Sequence, residues 1–214
     1  MKGDEKVSKS LKLLFAVAVV ALYAVGARAM GVRPETPRTI EFKGRIKTLY
    51  LDQIQYEKAF AEFTKDKNAD AARVSDSKAA ANAADLAAAI GRYYGKDDAG
   101  RLRALFFSRY EGMKEYTLAA FAGNDARKKA ASAKLYENAV NMAAFLGSIN
   151  PYVPRGDVSS LLEAHAGNGI SEVDAVMSKD SATTREVYEL MQKNMKILSD
   201  DLSEAIIRQF PKSF

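Results

Sequence analysis

Along most of this chain apolar residues recur every three to four positions and no stretch alternates with a period of two, which predicts helices and no strands. Ile46, Leu49, Gln53, Tyr56, Phe60 and Phe63 hold one face of a helix from about Arg45 to Lys65. A second helix, capped by Asn68 or Asp70, runs to Tyr94 and stops at Gly95; 11 of the residues from Ala69 to Gly91 are alanine, which lets neighbouring helices approach closely. Asp97 and Asp98 open a third, with the stripe Leu102, Leu105, Phe106, Arg109, Met113, Tyr116 and Ala120, closed by Gly123. Asn124 or Asp125 caps a fourth, whose stripe is Leu135, Asn138, Met142, Phe145 and Ile149, ended by Asn150-Pro151.

Beyond Pro154 the pattern predicts a short helix with Val158, Leu161, Leu162 and His165 on one face, stopped by Gly167-Asn168-Gly169. One continuous helix from Ser171 to Gln209 would be about 58 Å long, far longer than its partners. The capping-box spacing of Thr183 and Glu186 therefore predicts a short helix from Ser171 to about Ser178 and a long one from about Thr184, with Val187, Met191, Leu198, Leu202, Ala205 and Ile206 on its core face. Four long helices joined by short turns make an all-α, antiparallel four-helix-type bundle with short additional helices, and no internal repeat is evident.

The N-terminus carries a different pattern. A basic start to Lys12 is followed by the apolar run Leu13 to Val25 and by Gly26-Ala27-Arg28-Ala29. That run falls well short of the roughly 20 residues a bilayer span needs, and Ala27 and Ala29 are the small residues a signal peptidase accepts. The reading is a signal peptide over residues 1–29, a Pro-containing linker over 30–44 and a helical domain over 45–214, in an exported, periplasmic or extracellular protein. The alternative is an uncleaved anchor over residues 11–30, the sole expected membrane contact, with the domain still outside the cytoplasm.

Composition then narrows the function. Of the formal charge of +5, residues 1–29 carry +3, five basic against two acidic, so the domain has no basic block with which to hold nucleic acid. The absence of cysteine excludes disulfides, thiolate metal sites and cysteine nucleophiles, and a single histidine leaves little triad chemistry. Gly91-Arg-Tyr-Tyr-Gly95-Lys96 has one residue too few for a phosphate loop and reads as a helix end. Glu163 and His165 point apart on a helix, unlike the Glu-x-x-His pairs of di-metal bundles.

What stands out is a polar set within or beside the apolar stripes: Asp52, Arg109, Asn138, His165 and Asn194. A buried charge needs a partner, and Asp52 with Arg109 is the obvious pair. The set reads either as a structural network that fixes helix register or as a candidate pocket at the bundle centre using His165 and Asn194.

Two strings carry a resemblance, Asn138-Ala-Val-Asn-Met-Ala-Ala-Phe-Leu-Gly-Ser-Ile-Asn150-Pro151 and Ser199-Asp-Asp-Leu-Ser-Glu-Ala-Ile206-Ile207-Arg208-Gln209-Phe210-Pro211-Lys212-Ser213-Phe214. Over roughly Leu51 to Phe214 the chain resembles a family of small exported bacterial all-helical proteins of unknown function, whose members bear labels such as glycosyltransferase or acetylglutamate kinase. No nucleotide-sugar or ATP motif accompanies those labels here. The resemblance implies histidines where this chain has Asp52, Arg109, His165 and Asn194, hence a histidine-lined, metal-binding centre; this chain keeps His165 alone. The terminal string predicts either Phe210 and Phe214 folded back on the bundle end or a partner-docking tail.

The expectation is a non-catalytic cell-envelope structural or interaction module with an internal polar network and no cofactor. Its partner is an unidentified protein or small molecule. The alternative is a bundle that binds a small ligand or metal through His165.

Overall fold

The computed structural model describes residues 35–214. The expected signal peptide, the alternative anchor and residues 30–34 of the expected linker lie outside the described residues. Within them are six α-helices and no strand: α1 Pro37–Lys65, α2 Ala69–Gly91, α3 Lys96–Phe121, α4 Asp125–Ile149, α5 Arg155–Met177 and α6 Ser181–Gln209, followed by a 3₁₀ turn at Pro211–Ser213. The fold is all-α and antiparallel, as the spacing predicts, but all six helices are long, 23 to 29 residues. None of them is long and apolar enough to cross a membrane.

Three boundaries differ from expectation. Residues 37–44 are helix rather than linker. Pro37 is the first helical residue, where its missing N–H is harmless, and Thr36 caps it by accepting from Thr39 N at 3.2 Å. Gly167-Asn168-Gly169 does not stop α5. Gly169 thins the helix where Met113 crosses it, since a Cβ there would lie 3.0 Å from Met113 Cε. The break falls at residues 178–180, and Asp180, not Thr183, is the cap: its carboxylate accepts from Thr183 N at 3.1 Å, so the expected Thr183/Glu186 box does not form. A smaller difference is that α2 ends at Gly91 rather than Tyr94.

Each helix packs on the next, α6 packs back on α1, and α1, α3 and α5 also touch one another. The result is a closed ring with three parallel inner helices, α1, α3 and α5, and three outer helices, α2, α4 and α6, each in the groove between two inner ones.

The ring is a threefold repeat, which corrects the expectation of none. Positive φ occurs at Lys67, Gly123 and Lys179, spaced by the same 56 residues that separate Arg109 from His165. Each of these residues is followed by a capping side chain, Asn68, Asn124 or Asp180. The amide of each cap donates back to a helix carbonyl at 3.0, 2.9 and 2.9 Å (Phe63, Ala119, Ala175), a Schellman-type closure. Ile46, Leu102 and Val158 are equivalent and fully buried, and Leu86, Met142 and Leu198 are equivalent and nearly so. The chain is thus three successive helical hairpins, α1–α2, α3–α4 and α5–α6. Three positions keep one residue throughout: Gly44, Gly100 and Gly156; Leu49, Leu105 and Leu161; Asn82, Asn138 and Asn194. Nothing in the structure explains the glycines, at each of which a Cβ would meet nothing within 4 Å.

The terminal string folds back. Phe214 packs on Phe42 and Tyr93 with ring centroids 5.0 and 5.1 Å apart, and Phe210 lies on Tyr93 and Tyr94 at 5.9 and 5.2 Å. Gln209 donates to Ile149 O at 2.8 Å and accepts from the Tyr94 hydroxyl at 3.2 Å, while Thr36 Oγ1 donates to the carbonyl of Phe214 at 3.3 Å. The last residues therefore seal the seam between α6 and α1.

Candidate functional site

Polar side chains enter the core at repeat-equivalent positions. From the outer helices, Asn82 Nδ2 donates to Leu49 O at 2.8 Å and Asn138 Nδ2 to Leu105 O at 3.0 Å, each carbonyl 33 residues upstream on the inner helix of the same hairpin. A helical carbonyl retains a second lone pair, so this bond fixes the sliding register of the hairpin without breaking the helix. Asn194 stands at the third such position, 2 % exposed, with Oδ1 unpartnered.

From the inner helices the equivalent residues are Gln53, Arg109 and His165. Gln53 Oε1 accepts from Asn82 at 2.8 Å, and Gln53 Nε2 donates to Glu57 Oε1 at 2.7 Å one turn along α1. Both Glu57 oxygens accept from Arg109, at 2.6 and 2.9 Å. Arg109 Nη2 also donates to His165 Nε2. All three inner helices are thereby tied at one level of the ring. Glu57 and Arg109 side chains are 8 and 13 % exposed, so this is a desolvated, bidentate ion pair whose remaining lone pairs are largely used.

A guanidinium has no acceptor, so the Arg109 contact assigns His165 Nε2 as acceptor and places the ring proton on Nδ1. Burial, and then the Arg109 charge, hold the imidazole well below its usual pKa, and it is neutral. Nδ1, the remaining donor, has no partner. Further along α5, Asn168 Nδ2 and Glu172 Oε1 are likewise buried and unpartnered. Burial pushes the Glu172 carboxyl up to about 8; Lys58 opposes the shift, and Glu57 and Glu62 add to it.

Of the sequence-predicted set, Arg109 and His165 meet at the centre. Asn138 bonds the backbone of its own hairpin instead of joining them. Asp52 is half-exposed on α1, and the pair expected with Arg109 does not form; Glu57 takes that place because it lies one turn beyond Gln53 on the face that α1 turns inward. Gln53 and Glu57 at i, i+4 in an apolar stripe were the signal for this, together with the regular recurrence of Asn82, Asn138 and Asn194. Asn168 and Glu172 carried no signal, being hidden by the expected stop at Gly167.

Among the described residues no three His, Asp or Glu side chains converge as metal ligands. One ring nitrogen of His165, Nε2, already faces a guanidinium, whose positive charge disfavours a metal ion beside it. Beside Glu57 a crevice of about 10 Å³ opens between α1, α2 and α3, lined also by Asp76, Tyr110 and Lys114, and it has room for about one water. Asp76 accepts there from the Tyr110 hydroxyl at 2.5 Å and from Lys114 at 2.6 Å.

No protein-family description matches the chain, and neither a curated protein nor a solved structure was found to be similar to it.

Proposed function

We propose that this chain is an exported, non-catalytic helical module of the cell envelope, whose ring is a rigid scaffold for a partner rather than a reaction vessel. The observation that carries the reading is the bidentate Glu57–Arg109 pair lying on His165 Nε2. Glu57, Arg109 and His165 Nε2 are engaged in holding α1, α3 and α5 together. The Leu13 to Val25 run and the Gly26-Ala27-Arg28-Ala29 that follows it support export, and the sealed tail supports a body that presents its outer helices rather than its terminus. The family resemblance would place a metal at the centre; a guanidinium on the one histidine speaks against it here.

The test is expression of the full chain in a bacterial host, fractionation, and N-terminal sequencing with native mass spectrometry of the product. The expected product starts at Met30, lies outside the cytoplasm and has the mass of the bare chain. A stoichiometric metal or organic ligand that is lost in His165→Ala while the fold persists would overturn the non-catalytic scaffold in favour of a binding protein. A product retained in the cytoplasm would overturn export.

A further inference from the structure

The repeat makes the three grooves around the axis directly comparable. The groove between α3, α4 and α5 is filled by Met113, Tyr116, Leu135, Ala166 and Val173, an apolar cluster. The groove between α1, α2 and α3 is the crevice beside Glu57, in which every buried polar side chain has a partner among the described residues. Its equivalent between α5, α6 and α1 places Glu172 where the first groove has Phe60, Tyr188 where it has Asp76, and Lys58 where it has Lys114. Lys58 does lie over the Tyr188 ring, 5.6 Å from its centroid, and its charge acts on Glu172, so these groups share one groove.

All four unpartnered buried side-chain atoms among the described residues belong to this third hairpin: His165 Nδ1, Asn168 Nδ2, Glu172 Oε1 and Asn194 Oδ1. The residues are 3, 7, 2 and 2 % exposed. In the first hairpin the equivalent pair Gln53 and Asn82 is in direct contact at 2.8 Å. An imidazole is shorter and more rigid than a glutamine side chain, and in this hairpin the asparagine oxygen and the ring N–H are left unjoined. His165, Asn168 and Glu172 follow at i, i+3 and i+7, one side of α5.

We infer that the α5–α6–α1 groove is an internal hydration site: a short chain of ordered water joins His165 Nδ1, Asn194 Oδ1 and Asn168 Nδ2 to Glu172 Oε1, with its outer end under Lys58 and Tyr188. Both donors and acceptors are present, and buried water bridges such mixed sets with two to four hydrogen bonds each. A charged guest fits worse, because the Glu57–Arg109 pair beside the groove is already neutral as a unit. The site ends on the only histidine of the chain.

That histidine makes the test clean. The full-length protein, labelled with ¹⁵N in the imidazole and in asparagine side chains, is examined by NMR for cross-relaxation between its side-chain N–H protons and water. The expected result is a neutral Nδ1–H tautomer with NOE and ROE peaks to water of opposite sign, marking water held far longer than surface hydration water. Asn168 should show the same, while Asn82, bonded to Leu49 and Gln53, shows none. In Asn194→Leu the His165 water peak should vanish with the tautomer unchanged; should that variant not fold, the comparison of His165 with Asn82 in the parent protein still decides. A coupling across a direct Nδ1–H to Asn194 carbonyl bond would overturn the inference. So would cross-peaks to a bound organic molecule, or equal water peaks at Asn82 and His165.

Discussion

The first and third hairpins share a backbone plan, a loop and a register, yet they differ in how their polar groups are satisfied. In α1–α2, Asn82, Gln53 and Glu57 form an unbroken chain of bonds that ends on Arg109. In α5–α6 the equivalent His165 and Asn194 each leave one atom unmatched. Two carboxyls of the same hairpin are held above their normal range as well: Glu172 at about 8, and Asp201 at about 6 through burial and then the charges of Asp157 and Asp200. Buried layers such as Ile46, Leu102 and Val158 and the capped turns recur in all three hairpins. The polar content of the third hairpin works against stability, and groups of that kind collect where a protein does something other than fold.

The comparison breaks most visibly at the residue that joins the two hairpins. Arg109→Met strands Glu57 in the core and is expected to lower stability by about 3–5 kcal/mol, whereas Arg109→Met with Glu57→Leu should return to within about 1 kcal/mol of the parent, both read from urea midpoints. Equal losses in the two variants would remove the ion-pair account.

Next comes Glu172. Its native pKa is raised, so the folded protein keeps a proton that the unfolded chain releases, and stability is lost as pH rises from about 4.5 to about 8. Glu172→Gln should therefore stabilise by about 3 kcal/mol at pH 8 and by almost nothing at pH 4. His165 works in the other direction. Its native pKa is depressed, the unfolded chain takes up the proton first, and stability falls as pH drops below 6.5, by up to about 1.4 kcal/mol per pH unit. His165→Gln, which gives the third hairpin the side chain that the first has at Gln53, should remove that acid-side slope in thermal melts at pH 5 to 7.

The smallest effects probe the backbone the hairpins share. Gly44→Ala, Gly100→Ala and Gly156→Ala should each stabilise by about 0.5–1 kcal/mol, since no atom crowds the new methyl. Lys67→Gly and Lys179→Gly should each gain about 0.5 kcal/mol by relieving left-handed φ, and Gly123→Ala should lose about 1 kcal/mol by creating it. Calorimetry on the set would show whether the three turns are interchangeable.

The helices were legible because their apolar period survives in every hairpin, down to Leu198 and Leu202 in the last. The central pair was half legible. Arg109 stood out in an apolar stripe, but Glu57 did not, because one sequence does not say how far round α1 the buried face extends. The repeat was hidden because its layers preserve burial and not identity: Gln53, Arg109 and His165 are equivalent in space and unlike in chemistry. Gly167 and Gly169 misled because a glycine inside a helix signals an ending or a close neighbour with the same letter, and only Met113 and Tyr136 reveal which.

The bond from Thr36 to Phe214 has a consequence in time. A growing chain can form its first two hairpins as they emerge, but the inner face that α1 offers to α6 stays bare until the final helix and its aromatic tail exist. Closure joins α1 to the final helix and its tail, a contact far apart in sequence and so slow to find. Until then the molecule is an open crescent with a hydrophobic edge at each tip, and at high enough chain concentration two such crescents can close on each other instead of each on itself. Whatever holds the chain before its last residues arrive therefore also decides whether one ring forms or a pair of chains interlocks.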